Sequence, residues 1–212
     1  MARILKVRPT KIELVKLKRR LTLSRRVKKI LNDRLAILMM AFIDTARRAI
    51  EARRRLVEAR ERADKAMTIA RGFHGAIALD KELGAATADI TLGVSTKNIA
   101  GARIPVLTLN FSDDHGPRYD LAATSSLVDD AADAGREVLH AIIALAELQR
   151  SLELMGAEIR RTKRIANALE YLVIPSLDET VRSLSMKFEE RDREEKARLK
   201  HVKILLARTA GN

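Results

Sequence analysis

Residues 10–71 read TKIELVKLKRRLTLSRRVKKILNDRLAILMMAFIDTARRAIEARRRLVEARERADKAMTIAR, a run without glycine or proline. Its opening is a helix start. Pro9 precedes Thr10, and Thr10 with Glu13 forms a capping box, in which each side chain satisfies a free N–H of the first turn. At 1.5 Å per residue, a helix from about residue 10 to 71 extends roughly 93 Å. Leu14, Leu17, Leu21, Ser24, Lys28, Leu31, Leu35, Leu38, Phe42, Thr45, Ala49, Ala52, Leu56, Ala59, Ala63, Ala66 and Ala70 alternate steps of three and four, and all but Ser24, Lys28 and Thr45 are apolar. A 3.5-residue repeat held this long calls for a partner helix in a left-handed supercoil, because a lone amphipathic helix follows 3.6 and drifts. The seam turns Ala-rich after Phe42, so the helices are expected to approach more closely there.

The partner lies in the same chain. A second helix, expected over about 121–207, carries an equally regular seam: Ala131, Ala134, Val138, Ala141, Leu145, Leu148, Leu152, Met155, Ile159, Thr162, Ala166, Leu169 and Val173. Pro175 interrupts it, removing the bond to the carbonyl of Tyr171 at a cost of about 3 kcal/mol. Around it Leu169, Val173, Leu177 and Val181 are spaced by fours, a stutter that unwinds a supercoil locally, so the helix is expected to bend or relax there. Antiparallel pairing puts residue 70 near 124 and Leu14 near Thr180. Residues from about 185 to 207 then project as a single helix of roughly 33 Å. The basic stretch Lys16 to Lys29 falls beside Pro175.

Gly72 and Gly75 end the first helix, and Gly84, Gly93, Gly101, Pro105, Gly116 and Pro117 punctuate the insert of about 72–120. Within it Ala88–Ser95 and Arg103–Phe111 carry β-branched residues in partial alternation and read as a short β-hairpin. Leu107, Leu109 and Phe111 share one face, which must cover the helices or bind a partner, since an isolated hairpin is marginal in water. The expected fold is all-α dominated: a single domain over 1–212, built as a long antiparallel two-helix coiled coil with a short β-hairpin insert and a C-terminal single-helix overhang.

Composition agrees with this reading and closes off others. Aromatics are 3% and charged residues 33% of the 212, the mark of long helices, and a β-sandwich or barrel is excluded. With no Cys, disulfides, thiolate nucleophiles, iron–sulfur clusters and Cys-based zinc sites are excluded too. The uncharged run Leu35–Ile43 falls short of the about 20 residues a bilayer crossing needs. Met1–Arg8 lacks a continuous apolar stretch and does not read as a secretory signal, so the expected location is the cytoplasm. His74, His115, His140 and His201 have no metal-ligand spacing, and no glycine-rich phosphate loop is present. Asp113-Asp114 and Asp129-Asp130 fall in a turn and near a helix start, where acidic residues are favoured anyway. The chain is expected to be non-catalytic, without cofactor or metal.

Residues 1–34 hold thirteen Lys or Arg against Glu13 and Asp33, which accounts for +11 of the net +13. One end of the molecule therefore faces a negative partner: nucleic acid, anionic lipid or an acidic protein surface. Arg25-Arg26 and Lys28-Lys29 ahead of a leucine seam have the layout of a basic zipper, which makes a coiled-coil nucleic-acid binder the alternative reading. That layout needs parallel dimers of short chains, whereas this chain carries its own antiparallel partner. A membrane-surface role ranks last, because the seams are narrow and Ala-rich.

Asn167 followed by Ala168-Leu169-Glu170-Tyr171-Leu172-Val173-Ile174-Pro175 resembles the signature of the D subunit of the V-type and archaeal-type rotary ATPases. Three further stretches agree in order and spacing: Pro9-Thr10-Lys11-Ile12-Glu13-Leu14, Lys97-Asn98-Ile99 through Ile104-Pro105-Val106, and Glu189-Glu190-Arg191-Asp192-Arg193-Glu194 with Arg198-Leu199-Lys200. The resemblance spans essentially the whole chain. It departs at Lys163-Arg164-Ile165-Ala166, where the family usually shows a basic run followed by Val.

The resemblance implies a non-catalytic central-stalk rotor of an ATP synthase or ion-transporting ATPase, cytoplasmic and peripheral to the membrane through its complex. Its implied partners are the catalytic and non-catalytic ring subunits (A and B), the small F subunit of the stalk and the funnel-shaped membrane-side subunit (C or d), with no nucleic acid and no membrane insertion. Arg19, Arg20, Arg25, Arg26, Lys28 and Lys29, with Phe188, Val202 and Leu205, would then bear on the catalytic ring. Ile99, Ile104, Val106, Leu107, Leu109 and Phe111 would meet the stalk partner.

Overall fold

The computed structural model describes residues 7–85, 90–111 and 125–209. These form α1 (Lys11–His74), α2 (Ala76–Ala85), β1 (Ile90–Ile99), β2 (Ala102–Phe111), α3 (Ser126–Ala168), a π-helical turn (Leu169–Val173) and α4 (Ile174–Thr209). The fold is all-α dominated, with long helices, one two-stranded antiparallel hairpin and a long C-terminal helix. Every one of the seventeen seam positions in α1 is buried or half-buried, and so is every expected seam position from Ala131 to Val173. Ala88 of the expected first strand, the expected helix start near Leu121, and Asp113, Asp114, His115, Gly116 and Pro117 lie outside the described residues.

The chain divides into two compact units: Met1–Leu35 with Arg161–Asn212, and Ala36–Arg160. In the first, Leu17, Leu21, Leu177 and Leu184 form the core, with Leu14, Val173, Ile174, Val181 and Phe188 around them. Lys11 meets Asp192 at 3.6 Å and Arg25 meets Asp178 at 3.0 Å, so the two segments run antiparallel. The register lies further along the second helix than the sequence reading placed it, with Arg25 opposite Asp178 and not the neighbourhood of residue 169. The turn of the second unit also lies later than expected. The first helix does not stop at Arg71 but runs to His74, whose Nε2 lies 2.9 Å from Ser125 Oγ, just ahead of α3. With Lys11 opposite Asp192, the overhang starts beyond Asp192, not at 185: Phe188 is half-buried, whereas side chains from Glu189 to Leu206 are all exposed. From Asp192 the helix continues to Thr209, roughly 26 Å.

At Pro175 the helix neither breaks nor loses its seam. Residues Leu169–Val173 form a π turn, in which the Ile174 N–H bonds the carbonyl of Leu169, five residues back. A π turn holds one residue more than an α turn. Up to Val173 the core positions follow alternating steps of three and four; after it they resume one residue late, at Leu177, Val181, Leu184 and Phe188. The stutter is therefore absorbed in one turn and not spread along the supercoil. Pro175 makes this cheap, because the α-type bond to Tyr171 is already unavailable and the wider turn relieves the ring's clash. The Ser176 hydroxyl donates to the carbonyl of Val173 at 3.0 Å, and the Thr180 hydroxyl to that of Ser176 at 2.6 Å.

In the second unit, Gly75 adopts φ +80 and donates its N–H to the carbonyl of Arg71 at 3.0 Å, closing α1. The turn carries the chain into α2, a helix the sequence reading did not anticipate. Leu79 of α2 is thereby returned onto Ala70, Val128 and Ala131. A second core joins Leu38 and Met155 to Ala102 and Ile104 of the hairpin, with Phe42, Ile99, Leu152 and Ile159 packed against it.

The hairpin strands pair from Ile90↔Phe111 to Ile99↔Ala102. Between them Ala100 (φ 48) and Gly101 (φ 86) make a two-residue turn with positive φ at both positions, the geometry that matches strand twist. The side-chain oxygen of Asn98 accepts the Gly101 N–H at 2.8 Å. The ribbon meets the helices along its β2 edge, since the Leu107 N–H donates to Glu147 Oε2 of α3 at 2.7 Å. Edge-on seating explains why burial along Pro105, Val106 and Leu107 does not alternate, and why every β1 residue except Gly93 and Ile99 is exposed.

Candidate functional site

The basic stretch of α1 is arranged by its helical period. Leu17, Leu21, Ser24 and Lys28 face the seam, so the flanking cations are held outward on a segment anchored by Leu17 and Leu21. Two of the six expected contact cations are engaged inside the unit. Arg25 pairs with Asp178 at 3.0 Å, and Lys28 Nζ lies 2.8 Å from Glu170 Oε1. Arg19, Arg20, Arg26 and Lys29 are exposed and have no acidic partner among the described residues. Leu23, Val27 and Ile30 add an exposed apolar row at i, i+4 and i+7 among these cations. Sequence reasoning passed over that row because it followed the seam, although the same spacing off the seam was readable.

The motif residues divide between the core and the surface. Leu169, Glu170, Ile174 and Pro175 are half-buried, while Asn167, Ala168 and Tyr171 are exposed. The π turn swings Tyr171 and Leu172 outward to 72% and 69% exposure, an apolar pair that the heptad pattern gave no reason to expect on the surface. On α4, Phe188 packs against the leucine core, whereas Val202 and Leu205 are exposed together with Leu199 and Leu206.

The six hairpin residues are largely occupied within the chain. Ile99 and Ile104 belong to the core with Leu38 and Met155, and Val106 is half-buried. Leu107 and Leu109 line a groove with His140, Ile143, Ala144 and Glu147 of α3. The Phe111 ring lies 5.1 Å from that of His140, and the Arg136 guanidinium stands 6.0 Å from the Phe111 centroid. The exposed apolar side chains of the hairpin are instead Ile90, Leu92 and Val94 of β1.

Among the described residues no helix is long and apolar enough to cross a membrane. The surfaces available are thus a mixed cationic and apolar face on α1, the Tyr171–Leu172 pair, an apolar stripe on α4 and the outer strand of the hairpin. Compared with known proteins, residues 13–204 match the family of the ATP synthase D subunit. The chain belongs to that D-subunit family. A V-type ATP synthase D subunit from Acetivibrio thermocellus is 38% identical over 99% of this chain and 96% of its own. The A-type ATP synthase D subunits from Methanopyrus kandleri and Pyrococcus furiosus are 36% and 37% identical, covering 95% and 97% of this chain and 88% and 97% of theirs. In this member of the ATP synthase D-subunit family, the π turn lies inside the Asn167–Pro175 segment that carried the resemblance.

Proposed function

We propose that the chain is the central rotor of a V-type or A-type rotary ATPase, a non-catalytic component that transmits torque between the catalytic ring and the membrane ring. The observation that carries this reading is the first unit: an antiparallel helix pair with a leucine core, whose α4 continues past Asp192 with an exposed apolar stripe. A torque-bearing shaft needs stiffness, which the paired seam supplies, and a surface that slides without locking. Arg19, Arg20, Arg26 and Lys29 suit sliding, because exposed ion pairs contribute only about 0–1 kcal/mol each and are readily exchanged. Arg25 and Lys28 stiffen the shaft itself.

In this role the α1 face and the α4 stripe run against the catalytic and non-catalytic ring subunits. The hairpin unit meets the small F subunit of the stalk and the funnel-shaped membrane-side subunit. The complex holds the chain at the cytoplasmic face of the membrane, with no cofactor of its own. The test is to purify the tagged chain from its native cells in mild detergent and identify what accompanies it, alongside calorimetric titration of the isolated chain with ATP. Ring and stalk subunits in defined ratio, with no saturable ATP signal, are expected. Saturable ATP binding, or nucleic acid in place of ring subunits, would overturn the reading.

A further inference from the structure

In the second unit the outer edge of β1 pairs with no strand among the described residues. Alternation within the ladder fixes which backbone groups point outward. The Leu107 N–H leaves the hairpin toward Glu147, so Leu107 and its partner Val94 form a pair not bonded across the ribbon. By the two-residue period, the N–H and C=O groups of Leu92, Val94 and Thr96 also point away from β2. None of them bonds a described residue. The other set is inward: the hydroxyls of Thr91 and Ser95 lie 3.4 Å from the carbonyls of Asn110 and Val106 across the ribbon, and that of Thr108 lies 3.3 Å from the carbonyl of Gly93.

The same edge carries the exposed apolar residues, with Ile90, Leu92 and Val94 at 40%, 49% and 67% exposure. Proteins normally blunt a free edge with proline, a bulge or inward-pointing charges. Here β1 has no proline, its ten pairs with β2 run without a bulge, and its one charge is Lys97. From Ile90 to Phe111 the only charged residues are Lys97 and Arg103, both exposed and in no ion pair with a described residue.

We propose that β1 is completed in the assembly by a third strand, an extended segment of a stalk partner that pairs along Leu92, Val94 and Thr96. The segment is apolar at alternate positions, beside Ile90, Leu92 and Val94, and carries a carboxylate where it passes Lys97, the one charge of β1, which is exposed and in no ion pair with a described residue. Backbone bonds give this mode its affinity and the alternate side chains its specificity. The inference rests on the proposed stalk role and moves the contact from the Leu107, Leu109 and Phe111 face, which α3 already covers, to the opposite strand.

The test is amide hydrogen exchange at single-residue resolution, on the isolated full chain and on the complex purified from its native source. Exchange of the Leu92, Val94 and Thr96 amides is expected to slow at least tenfold in the complex. Unchanged exchange at these three amides, with the stalk polypeptide still bound, overturns the proposal. Protection that rises with concentration in the isolated chain would mark self-pairing of two copies and also overturns it. A second arm uses Val94→Pro, which removes an outward N–H while leaving the inward ladder intact. Retention of the stalk polypeptide should fall at least tenfold, with the inward Ser95 amide as protected as in the unaltered chain; full retention overturns the proposal. A chain that accompanies no ATPase component at all overturns the stalk reading itself, a result distinct from the others.

Discussion

Lys28 Nζ of α1 lies 2.8 Å from Glu170 Oε1 in the π turn, with the two side chains 29% and 41% exposed. Position 28 belongs to the apolar seam, where a lysine is expensive unless its ammonium finds an anion. The π turn supplies one, because the segment that widens the helix is the segment that carries Glu170. Two apparent irregularities, a cation in a leucine seam and a glutamate in an apolar motif, thus explain each other.

Removing one partner leaves the other half-desolvated. Glu170→Gln should lower stability by about 1 kcal/mol, between the values typical of exposed and buried pairs. Lys28→Met together with Glu170→Gln should recover most of that loss. Denaturant unfolding of the four chains in a double-mutant cycle measures it, and additive effects would mean that the pair is not coupled.

The one-residue seam offset makes a sharper claim about the π turn. Deleting Leu172 and replacing Pro175 by Ala should allow a continuous α-helix with the downstream seam still in phase. The melting temperature should stay at or above that of the unaltered chain. Deleting exposed Glu153 of α3 should instead displace every later seam residue and cost at least about 2 kcal/mol, since polar side chains would enter the core. Equal losses from the two deletions would show that the π turn does not absorb the extra residue.

The long elements were legible because a heptad repeat states burial directly: Leu17, Leu38, Ala70 and Met155, all placed on the seams, are buried. The stutter was legible at Leu169, Val173 and Leu177, but not whether it would be spread along the coil or taken up in one π turn. That choice depends on the Ile174–Leu169 bond and the Ser176 hydroxyl, which periodicity does not encode. Gly72 and Gly75 were both read as ending the first helix, but Gly72 is tolerated inside it and Gly75 closes it, so α1 runs to His74 and not Arg71. At the basic end the residue types were visible, but the division between structural cations, Arg25 and Lys28, and outward ones required Asp178 and Glu170 to be set opposite them.

Ala100 sits at φ 48, which costs a residue with a Cβ roughly 1 kcal/mol relative to glycine or asparagine. Ala100→Asn should therefore slow exchange of the inward hairpin amides, such as Ser95, about fivefold. Ala100→Val should accelerate it. The reverse order would rule out the positive-φ turn.

Sliding contacts predict weak single effects at the cationic face. Arg19→Ala, Arg20→Ala, Arg26→Ala or Lys29→Ala should each change ATP turnover of the assembled complex by less than about twofold. Replacing all four should lower it clearly more. Ending the chain after Asp192, which removes Leu199, Val202, Leu205 and Leu206, should impair coupling more than any single charge change. One arginine that alone abolishes turnover would indicate a specific ionic lock.

In the proposed role this chain turns within its complex. The most direct measurement fixes the catalytic ring to a surface, attaches a visible probe to a single cysteine introduced on α2, at exposed Lys81, and supplies ATP. Continuous unidirectional rotation of the probe is expected, slowing in proportion as ATP becomes limiting. A probe that stays fixed relative to the ring while ATP is hydrolysed would contradict it.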